Sequence, residues 1–462
     1  MPKVLLGSAA RTALVALLGV CAVVCAAAGA AAGATAAASF GEDDVWPAWR
    51  GPEHTGEAEG DPPVTWSETE NVRWKVAVPG LGTSTPIVWG DRIFLTTAID
   101  TGKPGDRPAP AAEEGERRRG GGPPSTVYRF VLMALDLDSG ELVWERTARE
   151  EQPHEGTHPD GTFASSSPVA DRERVYAFFG SQGLYAYTHA GEKVWEVDLG
   201  DMTTRLGFGE GASPALADGT LVVLWDHEGE SFIVALDAAT GKEKWRTGRE
   251  EMTAWATPLV VDHDGRKQVV TAATGKVRSY DLATGELIWE GPGMTLNAIP
   301  SPVTADGVVY LMSGFRGNTA LAIDLDKAQG DVTGSDAIVW SLDRDTPYVP
   351  SPLLYDGILY FLKSNNGLLT AVEVATGNVL YGPERLDAVR NIYASPVGAA
   401  GRVYLLGRDG GAAVLKHGRQ LEVMAENSLD DSFDASPVVA GKRLLLRGRQ
   451  HLYCLEESGA GG

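Results

Sequence analysis

A chain of 462 residues has length for about three ordinary domains, unless one repeated unit fills it. Its 62 acidic and 40 basic side chains give a net charge of −22, which disfavours nucleic acid and anionic membrane surfaces as partners. The plain consequence of that charge is solubility.

The first segment stands apart. Lys3 and Arg11 give a basic start, an uncharged Leu/Val/Ala-rich run follows from Thr12 to Ala38, and Ala36-Ala37-Ala38-Ser39 suits signal peptidase. Residues 1–38 read as a secretory signal, which places the mature protein in the periplasm or outside the cell. The run is also long enough for a retained membrane anchor. Leu18-Gly19-Val20-Cys21 lacks the small residue normally found before a lipidated Cys. Without the leader, 38 basic residues face 62 acidic ones, a net −24. Cys21 and Cys25 leave with it, so no intramolecular disulfide can form. Cys454, within the strand-like His451–Leu455, reads as a small buried apolar residue. No later apolar stretch reaches twenty residues, so no membrane insertion is expected after cleavage. Residues 39–71 read as an N-terminal arm.

A four-strand pattern then recurs. A small residue and Pro open it, two apolar strands flank an Asp/Gly turn, and a variable loop leads to a third strand. A tight turn and a strand ending near Trp finish the unit. The clearest copy runs Thr257-Pro258-Leu259-Val260-Val261, Gln268-Val269-Val270, Val277-Arg278-Ser279-Tyr280-Asp281, Thr284-Gly285, Leu287-Ile288-Trp289. The openings are Pro86, Pro168, Pro214, Pro258, Pro302, Pro352, Pro396 and Pro437. A four-stranded unit of this period is a propeller blade, so eight openings predict an all-β, eight-bladed β-propeller of antiparallel blades over residues 72–456. Residues 99–126 interrupt the first blade, and 457–462 read as a flexible tail. The last unit lacks its fourth strand, while Val72-Arg73-Trp74-Lys75-Val76 is an orphan outer strand at the other end. Their pairing closes the ring and removes a sheet edge. Trp74, Trp144, Trp195, Trp245, Trp289, Trp340 and Tyr381 recur at one blade position and are expected to pack between blades.

Ala235, Asp237, Thr240, Gly241 and Trp245 spell Ala-x-Asp-x-x-Thr-Gly-x-x-x-Trp, and blades 1, 4 and 6 carry variants of it. This resembles the signature of PQQ-like propeller repeats. Trp46-Pro47-Ala48-Trp49-Arg50-Gly51-Pro52 resembles the start of secreted bacterial members of that family. The resemblance implies the propeller fold. It extends to quinoprotein dehydrogenases and to the lipoprotein subunit that assists outer-membrane barrel assembly. The alcohol dehydrogenases of that group carry a vicinal Cys-Cys disulfide against PQQ and a Ca²⁺ site. One mature Cys rules out the first, and no compact segment maps onto the second. No cofactor is therefore expected. The chain has no Cys-x-x-Cys-His, Gly-x-Ser-x-Gly or Gly-Lys-Ser/Thr motif. His154 and His158 are four apart, but Pro153, Gly156 and Pro159 make that stretch a loop rather than a zinc helix, so no metal is expected.

Within an up-and-down blade, the linkers between blades and the loops joining second to third strands share one face. Here those segments are irregular and charged, whereas the opposite turns are stereotyped, so recognition is assigned to the linker face. That face is expected to present Arg205, Glu210, Asp226, His227, Glu228, Asn297, Arg316, Lys363, Asn365, Arg390, Asn391, Arg408, Asp409, Asp431 and Asp434. Five cations among them, Arg205, Arg316, Lys363, Arg390 and Arg408, would converge on one mouth. They could hold a carboxylate-bearing partner or only neutralise neighbouring acids. Residues 99–126 emerge on the same face, as a lid or a tolerated insertion. The expectation is a monomeric, non-catalytic binding or scaffolding protein for an envelope protein or glycan. A PQQ-dependent oxidoreductase and a glycan-processing propeller enzyme are the alternatives.

Overall fold

The computed structural model describes residues 45–107 and 121–458. The expected leader, the middle of the blade 1 insertion and residues 459–462 lie outside them. Eight antiparallel blades form the ring. In blade 3 the strands are Ala215–Ala217, Thr220–Trp225, Ser231–Asp237 and Glu243–Arg249. The second strand is buried throughout and the fourth alternates toward solvent, because blades stack on each other over their inner three strands. Val72–Ala77 completes blade 8 by pairing with His451–Leu455, with Trp74 opposite Cys454.

The repeat signature proves to be a joint between blades. The Asp237 carboxylate accepts the Thr240 amide at 2.9 Å and its hydroxyl at 2.7 Å, which shapes the turn. Gly241 follows at φ +72°, and a Cβ there would lie 2.8 Å from the Trp195 ring of the preceding blade. Glycine is needed both for the backbone and for this contact. The Trp195 indole N–H donates to the Ala238 carbonyl at 3.0 Å, so the partly buried ring keeps its one polar atom satisfied. Trp74, Trp144, Trp245 and Trp340 repeat that bond to Leu137, His189, Leu282 and Val374. Trp289 departs from the pattern. Gly330–Asp331 adds a parallel strand beside it, it is fully buried, and it donates instead to Gln268.

The small residue before each opening Pro makes a second set of joints. The amide of Thr85 donates to the Ser167 hydroxyl at 2.9 Å, Ser167 to Ser213, and Ser213 to Thr257. The series continues through Ser301, Ser351, Ser395 and Ser436, whose amide returns to Thr85 at 3.0 Å. Eight hydroxyl–amide bonds thus form a closed circle around the channel. Only Ser or Thr can accept such a bond without filling the channel.

The N-terminal arm is not peripheral. Val45–Trp46 adds a strand inside blade 1, with Trp46 opposite Val88 and fully buried. The arm then crosses the channel. Pro47 accepts from Ala170 of blade 2, Thr55 from Leu354 of blade 6, and Gly56 from Gly398 of blade 7, whose own carbonyl accepts from Ala58. Arg50 is buried, and its Nη2 donates to the carbonyls of Thr55, Pro352 and Pro396 at 3.0–3.2 Å. Burial without a carboxylate partner lowers it to about 9. Asp61 bonds Gly441 in a first turn of blade 8 and pairs with Arg402, so the arm leaves on the face of the stereotyped turns.

The insertion differs from the expected loop. Arg92–Pro104 and Thr126–Asp136 are long paired strands that carry blade 1 beyond its neighbours. Among the described residues no helix is long and apolar enough to cross a membrane.

Candidate functional site

The linker face opens into a cavity of about 430 Å³ at the channel mouth, to which all eight interblade linkers contribute. Its walls are Phe208, Trp255, Phe315, Tyr348 and Tyr393, and the arm supplies Trp49. Phe315 and Tyr348 stack at 4.6 Å, and His158 meets Phe208 edge-on at 4.9 Å. Thr85, Ser167, Ser213 and Ser436 of the hydroxyl circle also line it. The Trp49 indole N–H reaches Ser436 at 3.4 Å. The arm and the hydroxyl circle together close the inner end of the cavity.

Among the described residues three carboxylates border this space, and no Lys or Arg does. Asp160 and Asp434 flank Arg408, at 3.0 and 2.5 Å. The Arg408 guanidinium lies 4.1 Å from the Tyr393 ring, whose hydroxyl donates to Asp160 at 2.9 Å. Burial pushes Asp160 up, but hydrogen bonds from Arg408 and Tyr393 outweigh it and hold it below the ordinary range. Asp434 also takes Arg449 at 3.1 Å. Glu210 accepts the Ser181 amide at 2.7 Å and its hydroxyl, yet burial raises it to about 7. Asn297 is buried at φ +56°. Its Nδ2 donates to the Tyr348 hydroxyl at 3.2 Å, and its Oδ1 has no partner.

Of the residues expected on this face, Glu210, Asn297 and Asp434 line the cavity, and Arg408 stands directly behind it. Others are committed to the scaffold. Asp226 and Arg249 form an ion pair at 2.7 Å with no accessible side-chain surface on either, and Arg249 also bonds Thr271 and Tyr280. A loop position read as exposed is thus an interior charge pair, because its partner ends the fourth strand of the same blade. His227 is buried, accepting the Thr203 amide at 3.0 Å. Asp431 is inaccessible and accepts the amides of Ser432, Arg449 and His451, capping the last loop. Asn365 accepts the Val349 amide, and Asn391 accepts Arg408's amide through its carbonyl. Exposed Glu228 holds Thr253.

The five cations do not wall one mouth. Arg408 is neutralised as above, and Lys363 pairs with Asp345 at 2.8 Å. Arg205 contacts Met252, and Arg316 lies over Phe315 at 5.4 Å. Arg390 and Asp409 are exposed. The sequence reading missed the aromatic wall. Its signal was available, since Phe208, Trp255, Phe315, Tyr348 and Tyr393 all fall in linkers or second loops rather than strands.

His154 bonds the Met202 carbonyl, while His158 packs on Phe208, so they share no ligand position. On the opposite face, His263, Asp264 and Asp326 bring ligand atoms within 4.8 Å of one another. The His263–Asp326 pair at 3.0 Å accounts for most of that closeness.

The family described as outer membrane protein assembly factor BamB matches residues 180–329 and 231–460. The chain belongs to that family. Two curated relatives bear the same name. The one from Yersinia pestis is 25% identical over 69% of this chain and 78% of its own length. The one from Moranella endobia is 25% identical over 54% of this chain and 61% of its own. Among solved structures, BamB from Moraxella catarrhalis superposes with a TM-score of 0.50 at 16% identity, over 80% of this chain and 98% of that one. A quinohemoprotein alcohol dehydrogenase from Pseudomonas putida HK5 gives 0.55 at 10% identity, over 91% and 81%. At these identities the structures share the propeller fold with this chain, and both BamB and dehydrogenases are built on it.

Proposed function

We propose that this protein is a non-catalytic, monomeric binding propeller of the cell envelope, whose protein or glycan partner docks on the linker face and inserts a group into the mouth cavity. One observation carries the reading: half-buried aromatic rings from separate blades surround a closed-ended cavity whose acids are already occupied. Asp160 and Asp434 are held by Arg408, and Glu210 by Ser181. Structural ion-pair and hydrogen-bond networks perturb carboxyl groups in this way without catalysis. Assembly-factor relatives and the expected leader both support an envelope location.

A quinone cofactor does not fit this cavity. Pyrroloquinoline quinone is a polycarboxylate, and among the described residues the lining meets it with Asp160, Glu210 and Asp434 and no Lys or Arg. Cys454 is buried in the third strand of blade 8. Purified protein given PQQ and Ca²⁺ should reduce no dye with alcohols or aldoses. Substrate-dependent turnover would overturn the non-catalytic reading. The docking reading is tested by capture from native envelope extract. Phe315→Ala with Tyr348→Ala should abolish capture while the protein stays folded, and undiminished capture would move the docking site elsewhere.

A further inference from the structure

The mouth cavity says more about its occupant than that something binds. We infer that it holds an uncharged sugar ring of a glycan; this rests on the docking reading above and narrows it.

Charge comes first. Among the described residues no Lys or Arg lines the cavity, and Arg408 behind it is already shared by Asp160 and Asp434, so an anionic group would be desolvated there without a free counter-charge. A cationic group fares little better, although aromatic walls alone would suit one. It would have to displace Arg408 from Asp160 and Asp434, and Glu210 sits where burial favours its neutral form. The favoured ligand is neutral.

Unspent hydrogen-bonding capacity comes next. Asn297 is 2% exposed and its Oδ1 has no partner. An acceptor left like that costs free energy unless a ligand or water donates to it. Asn297 also holds a left-handed backbone, which places its amide between the linker and Tyr348. Thr85, Ser167, Ser213 and Ser436 each accept an amide from a neighbouring blade, and their own O–H groups find no acceptor among the described residues. The cavity therefore offers both an acceptor and several donors. A partner's Leu or Phe side chain would leave all of them unmet.

Shape completes the argument. A pyranose has an apolar C–H face and a rim of hydroxyls that both donate and accept. Trp49, Trp255 and the Phe315–Tyr348 stack give flat apolar surfaces, and Asn297 and the hydroxyl-bearing residues line the same cavity. The volume of about 430 Å³ falls in the range of small-molecule sites, about 300–1,000 Å³.

Calorimetric titration tests this with wild-type protein and glucose, galactose, mannose, N-acetylglucosamine and their β-linked disaccharides. Glucuronic acid and glucosamine serve as charged counterparts. At least one neutral sugar should bind, at least tenfold tighter than its charged counterpart. Trp255→Ala and, separately, Tyr348→Ala should weaken it at least tenfold, with folding checked by the melt. No binding by any neutral sugar up to 10-fold above about 1 mM, a weak-site affinity, overturns the sugar inference. So does preferred binding of a charged sugar. If sugars fail but Phe315→Ala with Tyr348→Ala still abolishes capture of an envelope protein, the cavity receives a protein group and the docking reading survives. If capture fails as well, both readings fall.

Discussion

The central channel is packed shut at one end and left open at the other, although the same eight blades surround both. At the shut end the arm meets inner strands through backbone pairs and Trp46 is fully buried, although Trp46 Nε1 and Arg50 Nε and Nη1 are enclosed there without partners among the described residues. At the open end five aromatic rings remain half-buried, Asn297 keeps an unmatched acceptor, and hydroxyls keep unspent protons. The difference comes from what each end recruits. Inner strands offer a repeated backbone edge, which one extended segment can satisfy. Linkers differ from blade to blade, so they can build a wall of unlike side chains. Where half-buried aromatic rings and polar groups border an open cavity on a rigid ring, a ligand is the natural complement.

The sharpest way to break this contrast is to remove the shut end. Deleting residues 39–76 takes away the arm and the outer strand of blade 8, and should lower Tm by more than about 10 °C. An unchanged melt would rule out closure by Val72–Ala77. Within the arm, Trp46→Ala should cost about 3–5 kcal/mol in denaturant unfolding, because it empties a fully enclosed site. Trp255→Ala at the open end should cost far less, since that ring is half-buried. Equal losses would mean that the mouth is part of the core.

Between the two ends, Ser213→Ala should cost about 1–3 kcal/mol by stranding the Ser167 amide. A neutral outcome would show that the hydroxyl circle is geometric rather than energetic. Glu210 adds a pH signature. Burial raises it from 4.5 to about 7, so between those values the folded chain holds a proton that the unfolded chain lacks. Its contribution therefore falls as pH rises through that window. Glu210→Gln should flatten the Tm profile between pH 5 and 7, and an unchanged slope would assign the dependence to other groups. The smallest expected effect on stability is on the rim. Arg316→Ala with Arg390→Ala should change stability by less than about 0.5 kcal/mol, since neither makes an ion pair among the described residues. A marked loss of stability would return these cations to a structural role.

The sequence was most readable where one solution is repeated eight times. Opening Ser/Thr-Pro pairs, Asp-x-x-Thr-Gly turns and closing Trp residues recur in register, and each is a local or next-blade contact. Asp226 and Asp431 show where that legibility stops. Both sit on loops with a run of charge, and both are inaccessible because Arg249 in one case and the amides of Ser432, Arg449 and His451 in the other meet them there. Loop membership is written in the turn residues; the direction of a loop side chain is not. The aromatic wall was hidden for a related reason. Its members lie in five different linkers or loops, and only the ring closure brings them together.

Read alone, the sequence determined the eight blades, the pairing of the first complete strand with the last, and the face on which the irregular segments lie. Periodicity carries that information because each repeat must bury its own hydrophobic face against its neighbour. Tertiary structure alone decided that the Trp46–Arg50 segment stoppers the channel, that Arg408 is neutralised rather than offered, and that the mouth is aromatic with its acids already engaged. Those outcomes depend on contacts between residues tens to hundreds of positions apart, such as Arg50 with the Pro396 carbonyl and Asp160 with Arg408, which meet only when the ring is closed.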